Sequence, residues 1–417
     1  LNKRTQLDVH DISTSGFSVF EVANERVLLP GMIIPDLKVI FSGALEIGCT
    51  AQVIYRKEEE KESRCGLAIL DMDINAYSRL TQILTNVMEP NTHISSEVDM
   101  EALWEFFFDT GFIYPKKYRI IQSRRGDFKK VYRKLYQENP EIAKHFTYQK
   151  NGKIFGHISM VRAYQKAWLL QHHAARAMDS KRTGFIVLKQ IMHYLNDMYR
   201  LPSAKMDYVM CYFQPVGGFA RSLKDPRGCS MDLFAYLPYT SLSLGSSLPE
   251  GWTLKESSAL DIWEMKRSYS HSSGGLLLDS LGLEKKNSVE ESLEELYNRL
   301  GFFRKWRAYS LAYRDELNAM LIVNQADLGI NLSDLLSCIK VIVNNSDDLP
   351  WEVLSTAISS LTGKYKMERV PVLFYPLEYV EDMDIPYEKK YQLWILNVQY
   401  GNEYMEYMQK KFRIGYR

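Results

Sequence analysis

Apolar and polar positions follow two different rhythms along this chain, and the change comes near residue 99. Before it the pattern is short alternation broken by turns. Residues 6–12 alternate and run into Asp11-Ile12-Ser13-Thr14-Ser15-Gly16, which predicts a strand ending in a polar turn. Further strands are expected at 17–22, 37–41, 47–57 and 65–70, with the charged stretch 57–64 as the turn of a hairpin. Residues 74–88 carry Tyr77, Leu80, Ile83, Leu84 and Val87 on one helical face, and Glu89-Pro90 closes that helix.

After residue 99 helical periods and apolar runs take turns. Helices are expected at 100–112 and 128–136. Strands follow at 146–150 and 154–163, joined by Asn151-Gly152, a strong hairpin signal. Next come a strand at 167–175, a long amphipathic helix at 184–199, a strand at 208–213, a short helix at 216–223 and a strand at 231–237. The Ser-rich stretch 240–247 reads as a boundary. A similar order then recurs: helices at 259–268 and 289–300, strands at 307–313, 319–324 and 339–344, a helix at 350–361, strands at 370–374 and 391–398, and a helix at 402–412. The recurrence lies in the order of elements and not in the residues themselves. It predicts a multidomain fold: a small N-terminal β-barrel with a trailing helix at 1–92, then two α/β domains at 99–240 and 249–417.

Composition narrows the function classes. The chain has 417 residues, with 52 Lys and Arg against 51 Asp and Glu, a net charge of +1. That balance argues against binding nucleic acid by bulk charge, while leaving room for a small phosphate pocket. The five cysteines are odd in number and stand at no zinc-binding or CxxC spacing, so reduced thiols in a cytoplasm are expected and no metal site is. No apolar run approaches the length of a membrane span. The opening Leu-Asn-Lys-Arg has neither an initiator Met nor a leader pattern, and reads as the inside of a longer chain.

Asp11, Ser13 and Gly16 form D-x-S-x-x-G at a strand end. With the strands at 51–56 and 65–70 and the helix behind them, the motif resembles the PilZ family of cyclic-di-GMP receptors over about residues 1–90. The resemblance implies that Asp11, Ser13 and Gly16 help to hold the dinucleotide. A carboxylate can accept guanine N–H groups, a hydroxyl adds a second polar contact, and glycine permits close backbone approach. The family also uses two arginines upstream of the motif. Only Arg4 precedes it here, so the chain as given is expected to bind the dinucleotide weakly or not at all.

The element order of residues 99–240 resembles the GNAT acyltransferase superfamily, and 249–417 resembles a more divergent second copy. That resemblance implies an acyl-CoA or acyl-carrier-protein donor, its phosphates cradled at a helix N-terminus. The matching junction is Ser180, Lys181, Arg182, Thr183 and Gly184, although Ile186 stands where the family has a second small residue. His157, His172 and His173 are the candidate bases, of which adjacent His172 and His173 should face opposite sides of their strand. Trp306, Trp351, Tyr375, Tyr387 and Trp394 are expected in the core, and Gly274-Gly275 at a turn or lid. The resulting expectation is a bacterial cyclic-di-GMP-linked signalling protein with a tandem acyl- or aminoacyl-transferase module. The alternative is a non-catalytic effector whose paired domains bind a protein or ligand.

Overall fold

The computed structural model describes residues 5–22, 26–41, 43, 45–59, 61–94, 98–113, 121–176, 183–215, 228–240, 247–284, 290–345 and 347–412. The first elements are β1 (Val9–Ile12), β2 (Gly16–Val22), β3 (Ile33–Phe41), β4 (Leu45–Glu58), β5 (Glu62–Asp71) and α1 (Ile74–Met88). Then come β6 (Thr92–Ile94), α2 (Met100–Asp109), α3 (Arg125–Arg133), β7 (Ala143–Lys150), β8 (Lys153–Tyr164), β9 (Ala167–Ala175), α4 (Thr183–Met198), β10 (Tyr208–Phe213) and β11 (Cys229–Tyr239). The rest are β12 (Trp252–Glu256), α5 (Ala259–Ser272), α6 (Leu277–Leu281), α7 (Leu293–Arg299), β13 (Arg304–Tyr313), β14 (Glu316–Ala326), β15 (Ile339–Val343), α8 (Trp351–Thr362), β16 (Val370–Tyr375), α9 (Leu377–Asp382), β17 (Lys389–Asn397) and α10 (Gly401–Phe412). The short helix expected at 216–223 lies outside the described residues.

Contacts divide the chain into two compact units. One comprises residues 1–112, 136–159 and 173–206; the other comprises 113–135, 160–172 and 207–417.

In the first unit β1 to β5 form an antiparallel sheet in the order β1-β2-β5-β4-β3. Alternation puts Val19, Ile47, Ala51, Val53, Cys65 and Leu67 inside. The Asp73 carboxylate caps α1 by accepting from the amides of Asn75 and Ala76, and the helix buries Ile74, Tyr77 and Leu80. Inside the same core Glu21 and Arg56 form a buried ion pair, and Glu21 also accepts from the amide of Leu28. The expected closed barrel is corrected here: the five strands form an open sheet. Among the described residues β1, only four residues long, pairs with β2 alone, and β3 pairs with β4 alone, so the ladder ends at both edges.

The second unit carries strands in the order β12-β13-β14-β15-β16-β11-β17-β10-β9-β8. Two parallel pairs interrupt an otherwise antiparallel pattern. β9 pairs with β10 from Ala167↔Tyr208 to Leu170↔Cys211, and β15 pairs with β16 from Ile339↔Val372 to Ile342↔Tyr375. A parallel pair needs a crossover, supplied by α4 for the first and α8 for the second. The closing strand of each half is exchanged. β17, late in the chain, pairs with β10, while the earlier β11 pairs with β16, and β11 and β17 pair antiparallel with each other. Beneath β15 and β16 lies an apolar core that includes Val341, Leu354, Ile358, Val372 and Phe374.

Candidate functional sites

The motif turn is built by side chain-to-backbone bonds. Ser13 Oγ accepts from the amide of Gly16 at 3.1 Å, and the Ser13 amide donates to the Gly16 carbonyl at 2.7 Å. Gly16 is required by contact and not by its dihedrals: a Cβ there would stand 2.4 Å from the Leu67 carbonyl oxygen of β5. Asp11, Ser13 and Gly16 line an open groove of about 470 Å³ together with Tyr55 and Arg64. Ser18 donates to Asp11 at 2.6 Å, and Arg64 pairs with the same carboxylate. The Ser18 hydrogen bond, then the Arg64 charge, hold the Asp11 carboxyl below its usual range. Thr14 donates instead to Asp197, in the last turn of α4.

Arg64 lies downstream of the motif, where the family pattern places no arginine. What brings it to the groove is the β2–β5 register, Phe20↔Arg64 and Ser18↔Gly66, and no local pattern announces that pairing.

The three candidate histidines sit in different surroundings. His157 is fully buried, with its ring edge-on to Phe107 at 5.0 Å and to His145 at 5.5 Å. His172 takes a left-handed backbone, φ 55°, just past the last β9–β10 pair. The Leu332 amide donates to its Nε2 at 3.0 Å, so the proton belongs on Nδ1, which lies 2.5 Å from the Tyr132 hydroxyl. Both nitrogens are thereby engaged. Beside it Gln171 donates to the Ile330 carbonyl and accepts from Asn331. His173 is exposed, and its Nε2 lies 2.9 Å from the Gly184 carbonyl. A predicted base and a predicted cofactor residue are therefore in direct contact at the start of α4.

Of the predicted cradle, Ser180, Lys181 and Arg182 lie outside the described residues. Thr183 donates to the Arg176 carbonyl at 2.9 Å. Its own carbonyl crowds β8, where a Cβ on Gly156 would meet it at 2.9 Å.

A further constellation was not anticipated. Asp232 of β11 is 3% exposed, and its carboxylate accepts from the Tyr269 hydroxyl at 2.6 Å and the Ser273 hydroxyl at 3.1 Å. Burial raises its pKa, against the hydrogen bonds of Tyr269, Ser273 and Tyr375. Its register explains the location. β11 pairs with β16 only from Ala235 onward, so Asp232 stands just beyond the end of β16, where the second parallel pair stops. A sequence reading has no access to this, because a lone Asp in an apolar strand carries no motif. Tyr375, expected in the core, is half-buried at this place. Among the described residues no group of three His, Cys, Asp or Glu could hold a metal ion, and no helix is long and apolar enough to cross a membrane.

No family model matches the chain, and no curated protein does. Solved structures do. A Drosophila protein matches with a TM-score of 0.40 at 12% identity, covering 72% of this chain and 95% of its own. A GCN5-related N-acetyltransferase from Sphaerobacter thermophilus follows at 0.38 and 10%, covering 74% and 96%. N-myristoyltransferase from Saccharomyces cerevisiae, solved with bound myristoyl-CoA, gives 0.33 and 10%, covering 74% and 83%. Overlap this loose decides nothing about chemistry, which rests on the chain's own strands and side chains.

Proposed function

We propose that the chain couples a nucleotide-receptor sheet at residues 1–92 to a tandem acyltransferase-like module at 99–240 and 249–417. The observation that carries the module is the twice-used arrangement of a parallel strand pair with a helical crossover, β9-α4-β10 and β15-α8-β16. In open α/β sheets ligands settle beyond the carboxyl ends of such strands. The donor in this reading is an acyl-CoA or an acyl carrier protein, met by the segment from Ser180 to Gly184. The receptor reading rests on Asp11, Ser13 and Gly16 sharing one groove with Arg64, whose planar fork suits guanine and phosphate. Cyclic di-GMP is its ligand, and five free cysteines fit a reducing, cytoplasmic setting.

The test is a binding and transfer screen: coenzyme A, acetyl-CoA, long-chain acyl-CoA and acyl carrier protein, each with and without cyclic di-GMP, against wild type and Arg182→Ala. Thiol release from a donor, weakened in Arg182→Ala, supports the enzyme. Silence from every donor favours the non-catalytic effector. That second reading has its own observation, since His172 has both ring nitrogens committed to structural partners.

A further inference from the structure

Ser13 and Ser15 line the groove of the motif turn, and between them the Thr14 hydroxyl donates to the Asp197 carboxylate. Asp197 stands in the last turn of α4, a turn without a basic residue, so the negative end of the helix dipole opposes its charge. Among the described residues the Thr14 hydroxyl is the one hydrogen-bond donor to that carboxylate. Two further ties lie close by. The Tyr77 hydroxyl of α1 donates to the Tyr194 carbonyl at 3.0 Å, with the two rings 5.1 Å apart, and Ser203, just past α4, donates to the Met72 carbonyl. All of these residues belong to the first compact unit.

α4 is built to move as one body. It runs for 16 residues, about 24 Å, with neither Gly nor Pro after Gly184, and a helix without such breaks does not kink. Val187, Ile191, Tyr194 and Met198 form its buried stripe. At its far end Thr183 donates to the Arg176 carbonyl at 2.9 Å, and the Gly184 carbonyl lies 2.9 Å from His173 Nε2. Little slack remains there. A Cβ on Gly184 would stand 3.1 Å from the Ala175 Cβ. Rigid elements tied at both ends by hydrogen bonds are what carries coupling between distant places.

The motif turn is open to competition. Ser13 Oγ accepts from the amides of Ser15 and Gly16 at 3.3 and 3.1 Å, and donates to the Gly16 carbonyl at 3.0 Å. A ligand that takes the Ser13 hydroxyl takes it from the bonds that shape the turn, and Thr14 is the next residue. We propose that the Thr14–Asp197 bond links the groove to α4: a ligand on Ser13 and Ser15 breaks it, and α4 carries the change to Thr183 and Gly184. The link rests on the receptor reading for one point only, that the groove takes a ligand.

Hydrogen–deuterium exchange in the full chain reads the link before any ligand is added. The amides of Val187 and Leu188, in the first turn of α4, are compared with those of Phe106 and Phe107 in α2, a buried part of the same unit. The proteins are wild type, Thr14→Val, Asp197→Ala and Thr14→Ser. First-turn exchange should rise about threefold or more in Thr14→Val and Asp197→Ala, while α2 stays within about twofold. Thr14→Ser keeps the hydroxyl and should match wild type. A first turn unchanged in both variants, or changed no more than α2, overturns the proposal. Should Thr14→Val fail to fold, Asp197→Ala and Thr14→Ser decide. Cyclic di-GMP is then titrated in. Binding that speeds first-turn exchange in wild type and adds nothing in Thr14→Val upholds the link together with its trigger. Binding that leaves the first turn unchanged overturns it. No binding, with the first turn still altered in Thr14→Val, upholds the link and removes cyclic di-GMP as the occupant of the groove in this chain.

Discussion

The ends of the two parallel pairs in the second unit share a geometry and differ in chemistry. Past Leu170↔Cys211 the chain places an imidazole, bent out of strand conformation and tied at both nitrogens to Tyr132 and Leu332. Just beyond Ile342↔Tyr375 it places a carboxylate held by the hydroxyls of Tyr269, Ser273 and Tyr375. The first arrangement is saturated: every polar atom has a fixed partner, so the histidine serves as scaffold. The second holds a buried acid whose partners among the described residues are hydroxyls, with its pKa raised by burial. One backbone plan thus carries an imidazole fixed at both nitrogens in one half and a buried acid held by hydroxyls in the other.

The largest effect should come from attacking what the halves share. Truncating the chain before Lys389 removes β17, which lies between β10 and β11. The expected product shows no cooperative thermal transition; a well-folded truncate with an ordinary melt would mean the halves are independent. Next in size, His172→Ala removes the bonds that its ring makes to the Leu332 amide and the Tyr132 hydroxyl, and should cost about 1–3 kcal/mol in urea unfolding. A loss below about 0.5 kcal/mol would remove the scaffold reading.

The contrast sharpens with pH. The folded-state pKa of Asp232 is raised above its unfolded value near 3.8, so the fold prefers the protonated acid. Its contribution to stability is therefore fullest below the unfolded pKa and is lost as pH rises through the folded one. Asp232→Asn should accordingly gain on wild type as pH climbs above about 4, reaching roughly 1 kcal/mol or more near neutrality. Melts at pH 3.5, 5, 6 and 7 measure it, and a gap that does not change with pH counts against a buried, unpaired acid. Lys144 offers the complementary case in the other unit. Burial pulls it down to about 7, so its cost appears as pH falls from 10.5 toward 7, and Lys144→Met should stabilise the neutral protein by about 1–4 kcal/mol. The smallest effect belongs to the 273–277 segment: Ser273→Ala should change stability by under about 1 kcal/mol while speeding amide exchange at Leu276 and Leu277.

Local elements were legible in the sequence because local physics makes them. The helix at 74–88 appears at those bounds, and Asn151 and Gly152 take the positive φ values of 51° and 73° that the hairpin signal implies. The charged stretch near residue 60 is a hairpin, although its strands reach further in, to Glu58 and Glu62. The motif turn was readable too, since Ser13 closes it through neighbours three residues away. What stayed hidden depends on partners far along the chain. Arg64 meets Asp11 only through the β2–β5 ladder, and Asp232 gains its surroundings only through a strand exchange that no window of sequence contains. The closed barrel failed for the same reason: alternation foretells strands, but not whether the outermost two will join.

The exchange of β11 and β17 also bears on how the protein is made. A ribosome delivers β10 long before β17, so through most of synthesis the first half carries an unpaired edge that invites association with other chains. Completion of that half waits on β17, residues 389–397. A chain cut short before Lys389 is expected to leave the β10 edge without its strand partner, the kind of exposed edge that chaperones and proteases act on.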